Sequence, residues 1–393
     1  MINQEMYGLG AARSCIRELF EYGLKRAGEV GRENVFDYSL GNPSIPAPPE
    51  VNTAIEEIVR TEDSLAVHGY TPAPGSMDVR KAVAEDLNQR FDAGVRPENL
   101  FFTCGAAPAL ISVVRALAVS DAQIVAIAPY FPEYKPFVEQ NGCKLAVVPA
   151  DTVQFQIRFD ELRDCLNEHT QAVIINSPNN PSGTVYTEQT LRRLAALLEE
   201  KAKAFGHPIY LIADEPYREL VYGGVTVPFV PKLYRDTVVC YSWSKSLSLP
   251  GERIGYVYVP DAAADSAALF AAIAGAARVA GHVCPPSLLQ RVVARCVQCP
   301  PDLAAYDRNR TLLYQELTAM GYSMAKPDGA FYLFIQAPGG NAKTFSERAK
   351  QLDLLLVPGD DFGCPDYFRI CYCVDYGMIQ RSLPLFRKLI EEA

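Results

Sequence analysis

Apolar and polar positions alternate regularly through the middle of this chain of 393 residues. Between residues 100 and 259, short apolar runs rich in β-branched side chains are separated by longer stretches with apolar residues at helical spacing. Strands that alternate with helices predict right-handed βαβ connections and a mainly parallel sheet. The predicted strands cover residues 100–103, 124–128, 145–148, 172–176, 209–213 and 237–241.

Two parts of the chain depart from this pattern. The apolar run 255–259 follows the strand 237–241 too closely for a helical crossover, so we expect it to be antiparallel to its neighbour. After residue 285, a long helical region is followed by short strands and two further helices. This part predicts a smaller α+β unit, which we expect the predicted N-terminal helix over residues 12–27 to join.

Composition narrows the class of protein. Hydrophobic residues make up 49% of the chain and charged residues 21%, which predicts a sizeable core. The net charge is -9 and no basic stripe is visible, so we expect no nucleic-acid partner. No apolar run is long enough to span a bilayer, and the N-terminus lacks the pattern of a signal peptide. We therefore expect no membrane partner and a cytoplasmic location.

The cysteines favour a reducing compartment. There are 11 of them, an odd number without the regular spacing of a disulfide framework. Cys296 and Cys299, and Cys371 and Cys373, have spacings found in some metal and redox sites. Neither pair has a second pair at zinc spacing, so we interpret all four as buried apolar thiols and expect no metal.

Functional residue types follow several successive strands of the predicted sheet. The carboxyl ends of parallel strands share one edge, where open α/β sheets bind ligands. The strand 237–241 brings Ser242 and Lys245 to this edge, and Arg253 follows shortly after. This arrangement predicts an amine nucleophile, Lys245, next to a phosphate bound by a hydroxyl and a guanidinium. The other strand ends add a small-residue turn, an aromatic ring, an amide, a carboxylate and a phenol: Gly105-Ala106-Ala107, Phe131, Asn180, Asp214 and Tyr217.

These motifs, in this order, resemble the class I and II aminotransferases over nearly the whole chain. The blocks that carry the resemblance are Tyr70, Gly105-Ala106-Ala107, Pro129-Tyr130-Phe131, Asn180-Pro181-Ser182-Gly183, Asp214-Glu215-Pro216-Tyr217, Ser242-Trp243-Ser244-Lys245, Gly251-Glu252-Arg253 and Phe368-Arg369-Ile370. The family consists of enzymes of amino acid metabolism that use pyridoxal 5'-phosphate (PLP) on fold type I. That fold has a mainly parallel seven-stranded sheet between helices and a smaller α+β domain.

The resemblance also implies how the chain divides. Residues 1–40 would form an N-terminal arm and the helix joining the small domain. Residues 41–285 would form the large PLP-binding domain, and residues 286–393 the small C-terminal domain. The family's sites are shared across a homodimer.

The resemblance gives each catalytic residue a role. Lys245 would form the Schiff base with PLP and carry the proton during transfer. Asp214 would pair with the ring nitrogen, and Asn180 and Tyr217 would hold the ring's 3'-oxygen. Phe131 would stack on the ring, although an apolar aromatic residue after a strand is often simply part of the core.

The remaining residues would bind the phosphate and the substrate. The phosphate would contact Tyr70 of the neighbouring subunit and, from the same chain, Gly105, Ala106, Ala107, Ser242 and Arg253. Arg369 would clamp the substrate α-carboxylate, with Gly41 and Asn180 nearby. Arg278 and Arg115 are candidates for binding a distal carboxylate, with an ordinary solvated arginine as the alternative for each.

Three functions are compatible with these residues. The first is an aminotransferase that exchanges an amino group between an L-amino acid and a 2-oxo acid by a ping-pong mechanism. The second is another PLP enzyme of the same fold, such as a C–S β-lyase, which needs the same lysine, aspartate and arginine. The third is a non-catalytic PLP-binding regulatory module, which usually follows a DNA-binding domain.

Overall fold

The central feature of the fold is a seven-stranded sheet with the strand order β2-β8-β7-β6-β5-β3-β4. The computed structural model describes residues 1–11 and 14–392. Strands β3 to β7 run parallel, and β8 is antiparallel to both of its neighbours, as the sequence predicts. The strands are β1 Phe36–Asp37, β2 Leu100–Thr103, β3 Gln123–Ile127, β4 Lys144–Val148, β5 Thr170–Asn176, β6 Tyr210–Asp214, β7 Thr237–Ser242, β8 Gly255–Tyr258, β9 Tyr332–Gln336, β10 Leu354–Leu355, β11 Val357–Pro358 and β12 Tyr367–Cys371.

The described residues form fifteen α-helices, which include those on both faces of this sheet. They are α1 Gln4–Ala11, α2 Cys15–Val30, α3 Pro49–Thr61, α4 Ser64–His68, α5 Met77–Phe91, α6 Ala106–Ala116, α7 Tyr134–Glu139, α8 Phe159–Cys165, α9 Glu188–Phe205, α10 Trp243–Ser246, α11 Ser266–Val279, α12 Ser287–Cys296, α13 Leu303–Met320, α14 Ala342–Lys350 and α15 Tyr376–Glu391. In β3, Ile124 and Ala126 pack in one core with α6, α7 and α11. Val125 and Ile127 pack in the other core with α3, α5 and α9. Strand alternation thus gives the sheet two buried faces, and the α/β prediction is confirmed.

A smaller antiparallel sheet has the order β11-β12-β9 and packs against α13, α14 and α15. The N-terminal part of the chain belongs beside it. Strand β1 pairs in parallel with β10, and Leu19 of α2 packs against Val357 and Phe362. The start of the predicted N-terminal helix, Ala12, lies outside the described residues; the helix observed is α2.

The position of α12 bears on where the chain divides. Its residues Leu289, Val292 and Val293 are buried in the same core as α3 and α5. The predicted boundary at residue 286 would instead assign α12 to the smaller part of the chain, and that boundary stays a prediction. Within residues 1–11 and 14–392, no helix has the length and apolar character needed to span a membrane.

Candidate active site

A cavity of about 290 Å³ opens at the carboxyl ends of β5, β6 and β7. Residues from three parts of the fold line it: the sheet edge, the N-terminal segment and the small antiparallel sheet. The predicted site residues that it brings together are Gly41, Ala106, Ala107, Phe131, Asn180, Asp214, Tyr217, Ser242, Lys245, Arg253 and Arg369. The sequence therefore identified most of the residues around this cavity.

Lys245 lines this cavity. It sits on α10, a single turn that starts directly after β7 because the Ser242 side chain accepts a hydrogen bond from the backbone N–H of Ser244. The lysine Nζ donates to the carbonyl oxygen of Gly41 at 2.7 Å and lies 5.5 Å from the ring centre of Phe331. Burial lowers the pKa of this amine, because an apolar surrounding disfavours its charged form. A lysine with a lowered pKa can act as a nucleophile and a base.

Asp214 is the last residue of β6, and only one of its two carboxylate oxygens accepts a hydrogen bond from the described residues. Its Oδ2 accepts a 2.6 Å hydrogen bond from the hydroxyl of Tyr134, and Asn176 donates to its backbone carbonyl at 2.8 Å. Its Oδ1 is buried without a hydrogen-bond partner among the described residues. Burial raises the pKa of the Asp214 carboxyl group to about 7, and the hydrogen bond from Tyr134 opposes this shift.

The start of α6 also lines the cavity. Gly105 has a φ of +96°, and no side chain caps the helix that begins after it. A methyl group at Gly105 would lie 2.7 Å from Nη2 of Arg253, so glycine allows the guanidinium to approach the helix. Ser242 Oγ and Ser244 Oγ are 2.6 Å apart on the same cavity wall. A free helix N-terminus, a guanidinium and two hydroxyls together are suited to bind a phosphate.

Arg369 lies on β12 and is 2% exposed. Its Nη1 donates to Asn180 Oδ1 at 3.0 Å, and its Nη2 donates to the carbonyl oxygen of Ser39. Its Nε has no partner among the described residues. A buried guanidinium with neutral partners only, at a cavity wall, is suited to bind a carboxylate.

Four predicted residues do not line this cavity. Tyr70 is 101% exposed and points away from the core of its own chain. Arg115 lies in the last turn of α6 and Arg278 in the last turn of α11, and both are exposed. Gly105 also does not line the cavity, although it adjoins Arg253 as described.

Several residues at this cavity escaped the sequence analysis. Tyr134, Asn176, Ser244 and Tyr332 contact the residues above, and the last three line the cavity. Asn176 and Ser244 are polar residues at or just after strand ends, and this position could have predicted them. Tyr332 begins a strand far away in sequence, and no sequence pattern indicates that it lies at the cavity. Trp243, also without a predicted role, is 3% exposed and packs in the core against Phe102, Tyr241 and Tyr256.

Comparison with known proteins identifies the family. Residues 33–383 match the sequence profile of the family described as aminotransferase class I and II. The chain belongs to this family. Since the match covers most of the chain, the predicted resemblance is confirmed, and this aminotransferase uses PLP as its cofactor.

Similar proteins agree with this assignment. A crystal structure of an amino transferase from Eubacterium rectale is 55% identical, with a TM-score of 0.98 over 100% of this chain and 99% of that chain. The aromatic-amino-acid aminotransferase 2 of Thermococcus litoralis and the aspartate aminotransferase of Pyrococcus abyssi are each 27% identical over 96% of both chains. Of the three functions open from the sequence, these comparisons support the PLP-dependent aminotransferase.

The residues around the cavity fit PLP. The unpartnered Oδ1 of Asp214 can accept a hydrogen bond from a protonated ring nitrogen. The start of α6 with Ser242, Ser244 and Arg253 matches a phosphate, and Lys245 supplies the amine. Within residues 1–11 and 14–392, no group of three or more His, Cys, Asp or Glu side chains could hold a metal ion.

Proposed function

We propose that this aminotransferase exchanges an amino group between an L-amino acid and a 2-oxo acid in two half-reactions, with Lys245 as covalent anchor of the cofactor and proton carrier. The observation that carries this proposal is that Lys245 lines one cavity together with Asp214 and Arg369. The lysine is half-buried, and burial lowers the pKa of its amine. When bound, PLP supplies an aldehyde that bonds to amines and a ring that withdraws electrons from the substrate Cα.

The residues of the chain would divide the work as follows. Asp214 would keep a proton on the ring nitrogen, because Oδ1 of Asp214 is an acceptor without a partner among the described residues. The positive charge of the protonated nitrogen would favour the ionised form of Asp214. Asn180 and Tyr217 would donate to the ring's 3'-oxygen, and Phe131 would cover one face of the ring. The start of α6, Ser242 and Arg253 would hold the phosphate.

Arg369 would bind the α-carboxylate of the substrate through two parallel N–H groups. Fixing the carboxylate turns the Cα–H bond toward the amine of Lys245, which would take the proton from Cα and give it to the carbon that came from the cofactor aldehyde. The neutral form of the amine is the form that accepts this proton, and burial favours it. Water exclusion by the buried walls of the cavity would protect the transfer from hydrolysis.

Peptide mapping tests the role of Lys245. We expect borohydride reduction of the holoenzyme to fix the cofactor mass on the peptide that contains Lys245, and Lys245→Ala to abolish both labelling and transamination. A label on any other lysine would refute the assignment. Lys232, whose Nζ bonds to the carbonyl oxygen of Phe91 outside the cavity, offers a matched Lys→Ala control that should keep full labelling.

The names of two relatives give candidate classes of amino donor. Two proteins at 27% identity are named for aromatic amino acids and for aspartate. We infer that one of these classes is the amino donor, with a 2-oxo acid as acceptor. A panel of donors, each measured with and without an added 2-oxo acid, tests this. Turnover that needs the acceptor supports transamination, and release of pyruvate and ammonia without an acceptor would indicate a C–S β-lyase instead.

We also infer a homodimer with shared sites. The support is Tyr70, which is 101% exposed in the single chain, together with exposed Leu65 on the neighbouring helix α4. In a dimer, Tyr70 would reach the phosphate in the partner's cavity. Hybrid dimers of Lys245→Ala and Tyr70→Phe chains would place both changes in one site and neither in the other. We expect one site of such hybrids to bind the cofactor with the affinity of the parent, whereas hybrids in which no site has the parental affinity would contradict a shared site.

We infer a cytoplasmic protein, because all 11 cysteines are free thiols and a reducing compartment preserves them.

We infer a large PLP-binding domain and a small C-terminal domain, with α12 on the large-domain side because of its core contacts. Limited proteolysis with mass spectrometry tests the division: a first cut between α12 and α13 supports it, and a first cut before α12 would favour the boundary at residue 286.

A further inference from the structure

Tyr332 lies between two groups of the cavity that the proposed function assigns to different ligands. It begins β9, is 2% exposed and lines the cavity. Its hydroxyl is 2.8 Å from the hydroxyl of Tyr217. Its ring centre is 4.7 Å from the guanidinium carbon of Arg369.

The sheet explains how one side chain reaches both partners. In the antiparallel pair of β9 and β12, Tyr332 stands opposite Cys371, and Arg369 is two residues earlier on β12. Tyr332 and Arg369 are therefore diagonal neighbours on one face, within reach of an aromatic ring. Tyr217 comes from the loop after β6, and its ring meets that of Tyr332 edge-on at 5.7 Å and 82°.

The surroundings leave the phenol of Tyr332 little freedom. A methyl group at Gly41 would overlap the Tyr332 oxygen and would lie 3.3 Å from the ring of Phe331. Gly41 thus provides the space for this hydroxyl, and its carbonyl oxygen accepts the hydrogen bond from Lys245. The second aromatic neighbour of the Arg369 guanidinium is Phe362, at 5.2 Å.

We propose that Tyr332 is a positioning residue that fixes the Tyr217 phenol through its hydroxyl and the Arg369 guanidinium through its ring. The proposal rests on the proposed function, in which Tyr217 contacts the cofactor and Arg369 the substrate carboxylate. When the Tyr332 hydroxyl donates to Tyr217, the proton of Tyr217 is left for the cofactor oxygen. A phenol that accepts one hydrogen bond also becomes a stronger donor of the next.

The two contacts are separable by substitution. Tyr332→Phe removes the hydroxyl and keeps the ring over Arg369, whereas Tyr332→Met removes both. Tyr222→Phe is a matched control: Tyr222 is also buried, and its hydroxyl donates to the carbonyl oxygen of Ala330 at 2.6 Å, outside the cavity lining. Each variant is reconstituted with PLP, and its thermal unfolding is compared with that of the parent.

Four quantities are then measured: the visible absorption spectrum of the bound cofactor, the dissociation constant of the cofactor, and kcat and KM for an amino donor. For Tyr332→Phe we expect an altered spectrum and a dissociation constant raised about three- to tenfold, with KM nearly unchanged. For Tyr332→Met we expect the same changes and, in addition, a KM raised about three- to tenfold. Tyr222→Phe should change none of them.

A spectrum and dissociation constant for Tyr332→Phe equal to those of Tyr222→Phe would overturn the link to Tyr217. Equal KM values for Tyr332→Met and Tyr332→Phe would overturn the link to Arg369. Tyr217→Phe separates this inference from the proposed function. If Tyr217→Phe alters the spectrum while Tyr332→Phe does not, only the inference fails; if Tyr217→Phe is itself silent, the assigned role of Tyr217 fails and the inference with it.

Discussion

The hydroxyl of Tyr134 donates a 2.6 Å hydrogen bond to Oδ2 of Asp214, whereas Oδ1 of the same carboxylate has no partner among the described residues. Both side chains are buried. The hydrogen bond stabilises the ionised form of Asp214 and orients the carboxylate, so that a cofactor nitrogen can use the remaining oxygen. In the proposed site, Tyr134 would thus act on the cofactor through Asp214.

Removing this hydroxyl should weaken the hold on the cofactor. In Tyr134→Phe, the pKa of Asp214 should rise further, since the bond that opposes the effect of burial is lost. We expect the dissociation constant of PLP to increase about tenfold, the usual effect of losing one hydrogen bond to a charged group. Fluorescence titration of the cofactor-free protein measures it. Tyr210 lies on the same strand as Asp214, and its hydroxyl donates a hydrogen bond to the carbonyl oxygen of Ala264. As a control, Tyr210→Phe should leave the dissociation constant of PLP unchanged.

The buried carboxyl group predicts a pH dependence of stability in the cofactor-free protein. Burial raises the pKa of Asp214 from 3.8 to about 7. A group whose pKa is raised by folding stabilises the protein at pH below its unfolded value, and this stabilisation is lost as pH rises through the folded value. The free energy of unfolding of the parent should therefore fall, relative to Asp214→Asn, between about pH 4 and about pH 7 by a few kcal/mol at most.

Urea unfolding of both cofactor-free proteins across this pH range provides the measurement. Asparagine keeps the shape of the side chain and cannot ionise, so the difference between the two proteins isolates the titration of Asp214. A difference that does not vary with pH would show that Asp214 has an ordinary pKa.

Arg369 should affect the substrate and not the cofactor. Arg369→Lys keeps the charge but loses the two parallel N–H groups, so we expect KM for every amino donor to rise on the order of ten- to a hundredfold. PLP should stay bound, because Arg369 has no assigned contact with the phosphate or the ring and is linked to them only through its hydrogen bond with Asn180. Release of the cofactor, with KM unchanged, would contradict a carboxylate role. Arg348→Lys, which alters a half-buried arginine hydrogen-bonded to the carbonyl oxygen of Glu392 outside the cavity lining, is a suitable control.

The two arginines considered for a distal carboxylate should be dispensable. Arg115 and Arg278 are exposed and lie outside the cavity lining of their own chain. We expect Arg115→Ala and Arg278→Ala to change the ratio of kcat/KM for aspartate to that for phenylalanine by less than about twofold, the scale of a solvated surface charge. A selective loss with aspartate in Arg278→Ala would show that this residue reaches the partner's cavity.

Local sequence was sufficient to predict the strands of the large sheet and many of the residues around the cavity. The alternation of apolar runs with helical stretches predicted the parallel sheet, and the short link before residue 255 predicted the antiparallel β8. Polar residues at strand ends predicted a common crevice, since a parallel sheet fixes where its strand ends lie. Asp214, Asn180 and Lys245 were found in this way, and the family resemblance added Arg369.

Only the tertiary structure decided which side chains from distant segments touch. Tyr332 is 115 residues from Tyr217, and neither its spacing nor its neighbours in sequence indicate the hydrogen bond between them. Tyr134 begins α7 without a polar signature and reaches Asp214 through the packing of that helix on the sheet. Sequence patterns record the period and polarity of single elements, whereas contacts between elements depend on packing and on burial, which also shifts the pKa values of Lys245 and Asp214.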